Sequence, residues 1–290
     1  LIAAAVFGAP IFIVLGGIAY FLFSQAGGAL EVVPNEAYTM MTGNTIPAIP
    51  LFTFAGFILS ESRAGKRLVR LFKALFGWMP GGLVIMAVLV SAFFTTFTGA
   101  SGVTILALGG LLSFVLIHSG HYSRRFSNGL LTASGSIGLL FPPSLPIILY
   151  GVVARVSIKD MFLGGIVPGL VMVLTLSLVG VVVSVKTKVK RTPFHPVRAY
   201  KAIRGAFWEI LLPIIIILGF FRGFTTLVET GAIAVVYILI VELFIHRDLN
   251  VRGVSNAALK ALPIIGGVLV ILALARGLSY FIVDAEVPVQ

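Results

Sequence analysis

Residues 132–146 read Thr132-Ala133-Ser134-Gly135-Ser136-Ile137-Gly138-Leu139-Leu140-Phe141-Pro142-Pro143-Ser144-Leu145-Pro146 within an otherwise apolar stretch. Proline has no amide hydrogen. In a continuous helix Pro142 would strand the carbonyl of Gly138, Pro143 that of Leu139 and Pro146 that of Pro142. Within a bilayer such carbonyls must be met by protein, water or an ion. A plain proline kink is the simpler reading. Two adjacent prolines, a third close by and two preceding glycines argue instead for a half-helix, an unwound stretch over 138–143 and a second half-helix starting near Ser144. A second polar break lies upstream. Gly99-Ala100-Ser101-Gly102, with Thr95, Thr96 and Thr98 before it and Thr104 after it, separates two apolar runs. A tight turn or small-residue packing would account for it alone. Beside the broken helix, it reads as a hairpin tip lining an ion or substrate site.

Other chemistries find less support. Residues 99–102 match the GxSG of rhomboid-type intramembrane serine proteases, but that serine needs a general base beside it. His118, His121, His195 and His246 all fall in expected loops and read as solvated. Position 103 is Val, so the spacing of a nucleophile elbow is absent. The chain has no cysteine, which excludes a disulfide framework and cysteine-based metal or redox sites. It shows no phosphate-binding loop, carboxylate cluster or metal-ligand spacing, so neither ATP-driven pumping nor a cofactor is indicated.

The elements that hold the two breaks follow from composition. Of 290 residues, 59% are hydrophobic and 11% charged, and the mean hydropathy is +1.11. Soluble domains carry about 25% charged residues. A water-soluble globular enzyme is excluded, and an all-α polytopic membrane protein is expected. Nine apolar stretches run over 2–24, 45–60, 79–98, 103–117, 129–154, 161–185, 206–221, 226–245 and 258–280. The first reads as a span of a truncated or processed chain rather than a signal peptide. A helix of about 20 residues crosses the hydrocarbon layer, so 45–60 and 103–117 are short.

Seventeen of the 21 Lys and Arg residues fall in 61–73, 118–127, 186–204 and 246–260. The net charge of +11 is therefore a topology signal that places these segments on the cytoplasmic side, not a nucleic-acid footprint. With 61–73 and 118–127 on one side, residues 79–117 must leave and return, as a helical hairpin. The shortness of its second arm favours a re-entrant hairpin that ends mid-membrane. The one sizeable hydrophilic linker is 186–205. Gly165-Ile166-Val167-Pro168-Gly169 has the spacing of close helix packing. Arg222 and Glu229 suggest an interfacial ion pair, and Glu209, Glu242 and Arg276 sit near span ends where snorkelling is the default. Four segments result: 1–78 with the first spans and a basic loop; 79–160 with the hairpin and broken helix; 161–205 with a span and the basic linker; and 206–290, the start of a second repeat.

The order of these features resembles the large membrane subunit of tripartite ATP-independent periplasmic (TRAP) transporters. The match rests on Ile49-Pro50-Leu51-Phe52-Thr53-Phe54-Ala55-Gly56, Thr98-Gly99-Ala100-Ser101-Gly102-Val103-Thr104, the Thr132–Ser144 stretch, and Gly164-Gly165-Ile166-Val167-Pro168-Gly169. One departure is Ala100, where the family often has a serine. The resemblance implies an ion-transporter-superfamily-like elevator architecture in the bacterial inner membrane, with sodium as the coupling ion. It implies a small membrane subunit and a periplasmic substrate-binding protein as partners, and an organic-acid substrate such as a dicarboxylate or sialic acid. The family's second hairpin and second sodium site would lie beyond residue 290. The implied cation site comprises Gly99, Ser101, Gly138, Phe141 and Pro143. Gly138 is its expected leading ligand, because Pro142 removes its helical partner. Thr98, Gly102, Thr104, Ser134, Ser136 and Ser144 are the expected substrate surroundings. A binding-protein-independent sodium/organic-acid permease and an intramembrane serine protease are the alternatives.

Overall fold

The computed structural model describes residues 6–119, 122–189 and 193–286. His121, Lys190 and Arg191 lie outside the described residues. Among those described, every regular element is helical. The chain forms two compact units, Leu1–Pro47 with Lys260–Gln290, and Ala48–Leu259.

In the first unit, α1 (Ile11–Gln25) and α2 (Val32–Met41) pack with the later part of the final helix. Ala19, Phe23 and Val33 are buried against Leu274, Leu278 and Phe281. Arg276 donates to Glu36 at 2.9 Å, so this arginine is paired and does not reach for solvent as the sequence suggested.

The second unit is built around one helix. After α3 (Ala48–Glu61) and α4 (Ala64–Phe76) comes α5 (Gly82–Thr98), which buries fourteen of its residues. A helix apolar all round, as this one is before its threonines, belongs inside protein. Next, α6 (Ser101–Phe114) continues through a wider π turn at Val115–Ser119. Its buried residues Thr104, Leu108 and Leu112 recur every four positions and form one stripe, which leaves the other face exposed. The second arm of the hairpin is thus not the short one. Because it starts at Ser101 and runs through the π turn, Ser101–His118 supplies 18 residues, enough to cross a membrane. The shorter and enclosed arm is α5.

The broken helix is present. Helix α7 (Arg124–Ser134) begins at a Ser123 cap whose side chain accepts from the Phe126 amide. It stops at Gly135, a single 3₁₀ turn follows at Ile137–Leu140, and α8 (Leu145–Ala154) starts after Ser144. The two parts are bent by 46°. The first half ends earlier than the prolines require, and part of the stretch read as unwound is this 3₁₀ turn. Pro146 lies in the first turn of α8, where a missing amide costs nothing.

Helix α9 (Ile158–Lys186) packs on α5 and on the 3₁₀ turn. The basic "loops" contain helices: 64–76 is α4, α10 (Pro196–Gly205) occupies the linker, packed on α4, and 118–127 and 246–260 hold the starts of α7 and of the final helix. The unit closes with α11 (Phe207–Phe221) and α12 (Leu227–Ile240), which packs on α3. The final helix, α13 (Val251–Asp284), starts here. Among the described residues, four helices are long and apolar enough to cross a membrane, or up to six if each of two bent pairs counts as one span. The chain is an all-helical polytopic membrane protein.

Candidate functional site

The end of α5 is locked by its own sequence. Gly99 has φ of +65° and caps the helix, its amide donating to the Thr95 carbonyl at 2.8 Å. L-residues avoid that conformation. A Cβ at Gly99 would also lie 2.3 Å from Leu145 Cδ1 and 2.5 Å from Leu145 Cβ. The hairpin tip therefore rests directly on the first residue of α8.

The threonines flanking the tip bond to one another. Thr95 donates through Oγ1 to Thr104 Oγ1 at 2.9 Å, and Thr98 and Thr104 hydroxyls meet at 3.0 Å. All three are buried. They join the last turn of α5 to the first turn of α6. Ser101 is half-buried at the start of α6, and Gly102 is exposed.

The broken segment is pressed onto the same turn of α5. A Cβ on Gly138 would lie 2.3 Å from the Ala92 carbonyl oxygen and 2.6 Å from Thr95 Cβ. The Gly138 carbonyl is not stranded as the proline argument held. It accepts from the Phe141 amide at 3.2 Å and lies 3.1 Å from Thr96 Oγ1. The 3₁₀ turn supplies an amide three residues on, in place of the one that Pro142 lacks. Thr96 Oγ1 is also 2.8 Å from the Ala92 carbonyl, so its single proton is shared between two acceptors.

Phe141 is extended and half-buried, and Pro142, Pro143 and Ser144 are buried. On the far side, Gly165 faces the Leu140 carbonyl and Gly169 faces the Phe141 ring. The close-packing glycines of α9 thus bind the broken helix. Likewise Gly56 of α3 lies against the backbone of Phe97 and Thr98. Ser134 is spent on the Leu131 carbonyl at 3.2 Å, and Ser136 is exposed; neither is held to the tip by a hydrogen bond.

Two further features fall at the junction of tip and break. Ala100 at the N-cap of α6 offers no side-chain cap, and Ser144 at the N-cap of α8 makes no capping bond either. The Ser144 hydroxyl is buried without a partner. Two helix N-termini, both uncapped by side chains, are therefore joined through the Gly99–Leu145 contact. Free amides at helix N-termini favour anions.

The family model described as "Tripartite ATP-independent periplasmic transporter, DctM component" matches residues 1–290. The chain belongs to this family. It is 33% identical to the C4-dicarboxylate TRAP transporter large permease protein DctM of Vibrio cholerae, over 86% of this chain and 55% of that protein. It is 32% identical to the isethionate TRAP transporter permease protein DctMQ of Oleidesulfovibrio alaskensis, over 98% of this chain and 45% of the relative. With the ectoine TRAP transporter large permease protein TeaC of Halomonas elongata it shares 27% identity, over 93% and 64% respectively. The chain spans about half the length of the curated relatives it matches. DctM-family proteins are transporter components, not enzymes, so the protease alternative falls.

One polar centre of this DctM-family chain was not anticipated. Arg67 on α4 donates through Nε to Glu209, through Nη1 to Asp248, and through Nη2 to both Glu242 oxygens at 2.9 and 3.2 Å. Glu209 and Glu242 are buried and do not snorkel. His246 is also drawn in, its Nε2 buried 3.6 Å from Glu209. It is not a solvated loop residue. Burial opposes the charge on Arg67, yet Glu209 and Glu242 beside it hold the guanidinium above its ordinary value. Burial, with Arg67 nearby, holds His246 below its usual range, against Glu209 and Asp248. Among the described residues Glu229 pairs with no arginine: its carboxylate accepts from the Thr226 amide at 2.7 Å, completing a capping box at the start of α12. Among the described residues, no group of three or more His, Cys, Asp or Glu side chains is arranged to hold a metal ion.

Proposed function

We propose that this chain carries the first hairpin and broken helix of the permease subunit of a sodium-coupled secondary transporter that imports a small organic acid. The coupling ion sits at the junction of the hairpin tip and the 3₁₀ turn. Backbone oxygens of Gly99, Phe141 and Pro143 and the hydroxyl or carbonyl of Ser101 are its ligands. Gly138 lends its carbonyl through the lone-pair direction that Thr96 only half occupies. Sodium prefers oxygen donors, and hydroxyls and carbonyls are what this junction offers. The substrate's anionic group lies against the two uncapped N-termini, with Thr98, Thr104 and Ser144 nearby. Ion binding orders the same turn that the substrate meets, so sodium raises substrate affinity by linkage.

The observation that carries this reading is the buried, unpartnered Ser144 hydroxyl, one residue from the contact with Gly99. A buried hydroxyl left without a partner costs about 1–3 kcal/mol, which a ligand would recover. The relatives' names add C4-dicarboxylates, isethionate and ectoine, all small molecules with an acidic group. In the whole protein, a small membrane subunit and a soluble periplasmic binding protein complete the system in the bacterial inner membrane. The hairpin and broken helix form the moving body of an elevator.

The test is uptake into liposomes by the full-length permease with its small subunit and binding protein, using a C4-dicarboxylate. Uptake should require an inward sodium gradient and the binding protein, and Ser144→Ala should raise the half-saturating substrate concentration in well-folded protein. Equal uptake with potassium in place of sodium would overturn the coupling. An unaltered Ser144→Ala variant would remove the substrate from this junction.

A further inference from the structure

On the basic side of the second unit, α4, α10 and His246 enclose a cavity of about 600 Å³. That falls within the roughly 300–1,000 Å³ typical of small-molecule sites. Its polar lining is almost wholly cationic: Arg70 and Lys73 from α4, Arg198 and Lys201 from α10, and His195 beside them. Arg67 also lines it, but its charge is already met by Glu209, Glu242 and Asp248. Among the described residues, Arg70, Lys73, Arg198 and Lys201 form no ion pair, and Arg70 spends only its Nε, on the Lys66 carbonyl. Four cations thus converge on one cavity without a protein anion to balance them.

The walls say what kind of anion fits. Helix α4 buries Ala64, Leu68, Val69 and Leu71 on one face and turns Lys66, Arg70 and Lys73 away from it. The apolar face packs on α5, and the cationic face is left to the cavity. Trp78, half exposed, follows its end and donates its indole N–H to the Leu75 carbonyl at 2.8 Å. Its ring meets Phe194 edge-on. Tryptophan in this setting marks the headgroup level of a bilayer. The cavity therefore combines cationic groups, apolar walls and an interfacial aromatic.

We infer that this cavity binds the phosphate headgroup of an anionic phospholipid, clamped between α4 and α10. Basic pockets at the membrane surface take such headgroups. A lipid suits the site better than a free phosphate because apolar Ala74, Trp78 and Ala202 line the same cavity and would contact glycerol and acyl carbons.

Native mass spectrometry of the delipidated full-length permease, titrated with phosphatidylglycerol or phosphatidylcholine, tests this. Wild type should retain phosphatidylglycerol in preference to phosphatidylcholine. Arg198→Gln with Lys201→Gln, both on exposed positions, should bind it about 30-fold more weakly. Arg124→Gln with Arg125→Gln removes the same charge from α7 and should bind as wild type. Unchanged phosphatidylglycerol binding by the α10 variant would overturn the site, as would an equal loss in the α7 variant, which would mean diffuse attraction. Displacement of the lipid by inorganic phosphate at comparable concentration would assign the cavity to a free anion instead. Thermal unfolding of each variant, expected to match wild type, separates lost binding from lost folding.

Discussion

Replacing Arg67 with methionine would leave Glu209, Glu242 and Asp248 facing one another with no cation among them. Arg67 is itself only 10% exposed, and the three carboxylate side chains are 1%, 1% and 8% exposed. Arg63 reaches Asp248 only at 4.0 Å from an exposed position and cannot replace it. Removing one partner from a buried ion cluster costs about 3–5 kcal/mol, because the remaining charge has neither water nor a counter-ion. For a unit of this size, each kcal/mol shifts the unfolding midpoint by about 2–4 °C. Arg67→Met should therefore lower the midpoint by roughly 6–20 °C, read by tryptophan fluorescence of the full-length protein in detergent. Arg67→Lys should fall between, since a lysine cannot present a planar fork to three acceptors. Arg67→Met with Glu209→Gln and Glu242→Gln removes the uncompensated charges and should recover most of the loss. If Arg67→Met unfolds at the wild-type temperature, or the triple variant is no better than the single one, the cluster does not hold α4 in place.

Two further outcomes are expected. Gly99→Ala must adopt a left-handed backbone and push Leu145 aside; at about 1–2 kcal/mol for the backbone alone, sodium-driven uptake should fall by about tenfold or more with insertion intact. Gly102→Ala, where a Cβ meets nothing within 4 Å, should be silent; wild-type uptake by Gly99→Ala would refute the fixed tip. His246 titrates below its ordinary 6.5 in the fold, so as pH drops the unfolded chain takes up the proton first. Stability should rise as pH climbs toward the ordinary histidine range and be lost below it, and His246→Gln should flatten the dependence of the unfolding midpoint just below that range. A slope unchanged by His246→Gln would assign the dependence to other groups.

The hairpin and the broken helix were legible because their signals are local. Three prolines in five residues and a Gly-Ala-Ser-Gly tetrapeptide disrupt a helix whatever surrounds them. The role of Gly165 and Gly169 as packing glycines was legible too, though not that they pack on the break. What the sequence concealed was long-range pairing. Arg67 is separated from Glu209, Glu242 and Asp248 by 142, 175 and 181 positions, and it sits in a run of bases that reads as a solvated loop. A signal did exist: Glu209 and Glu242 lie within apolar runs, and an acid there calls for a named partner. The amphipathic period of 64–76 would also have shown a helix in place of a loop. The Gly138 carbonyl was misjudged because the proline argument assumed α-helical partners, whereas a 3₁₀ turn draws its amide from one residue nearer.

The threonine contacts at the tip also set where this unit can bend. Thr95, Thr98 and Thr104 spend their hydroxyls on one another in a buried place with no water to compete. Separating the arms would break both of these buried contacts and leave Thr98 only the Ala100 carbonyl, 3.4 Å away. The two arms are fastened at the top like the legs of a staple. Any hinge between them must then lie below that fastening, at the ends of α5 and α6 far from the tip.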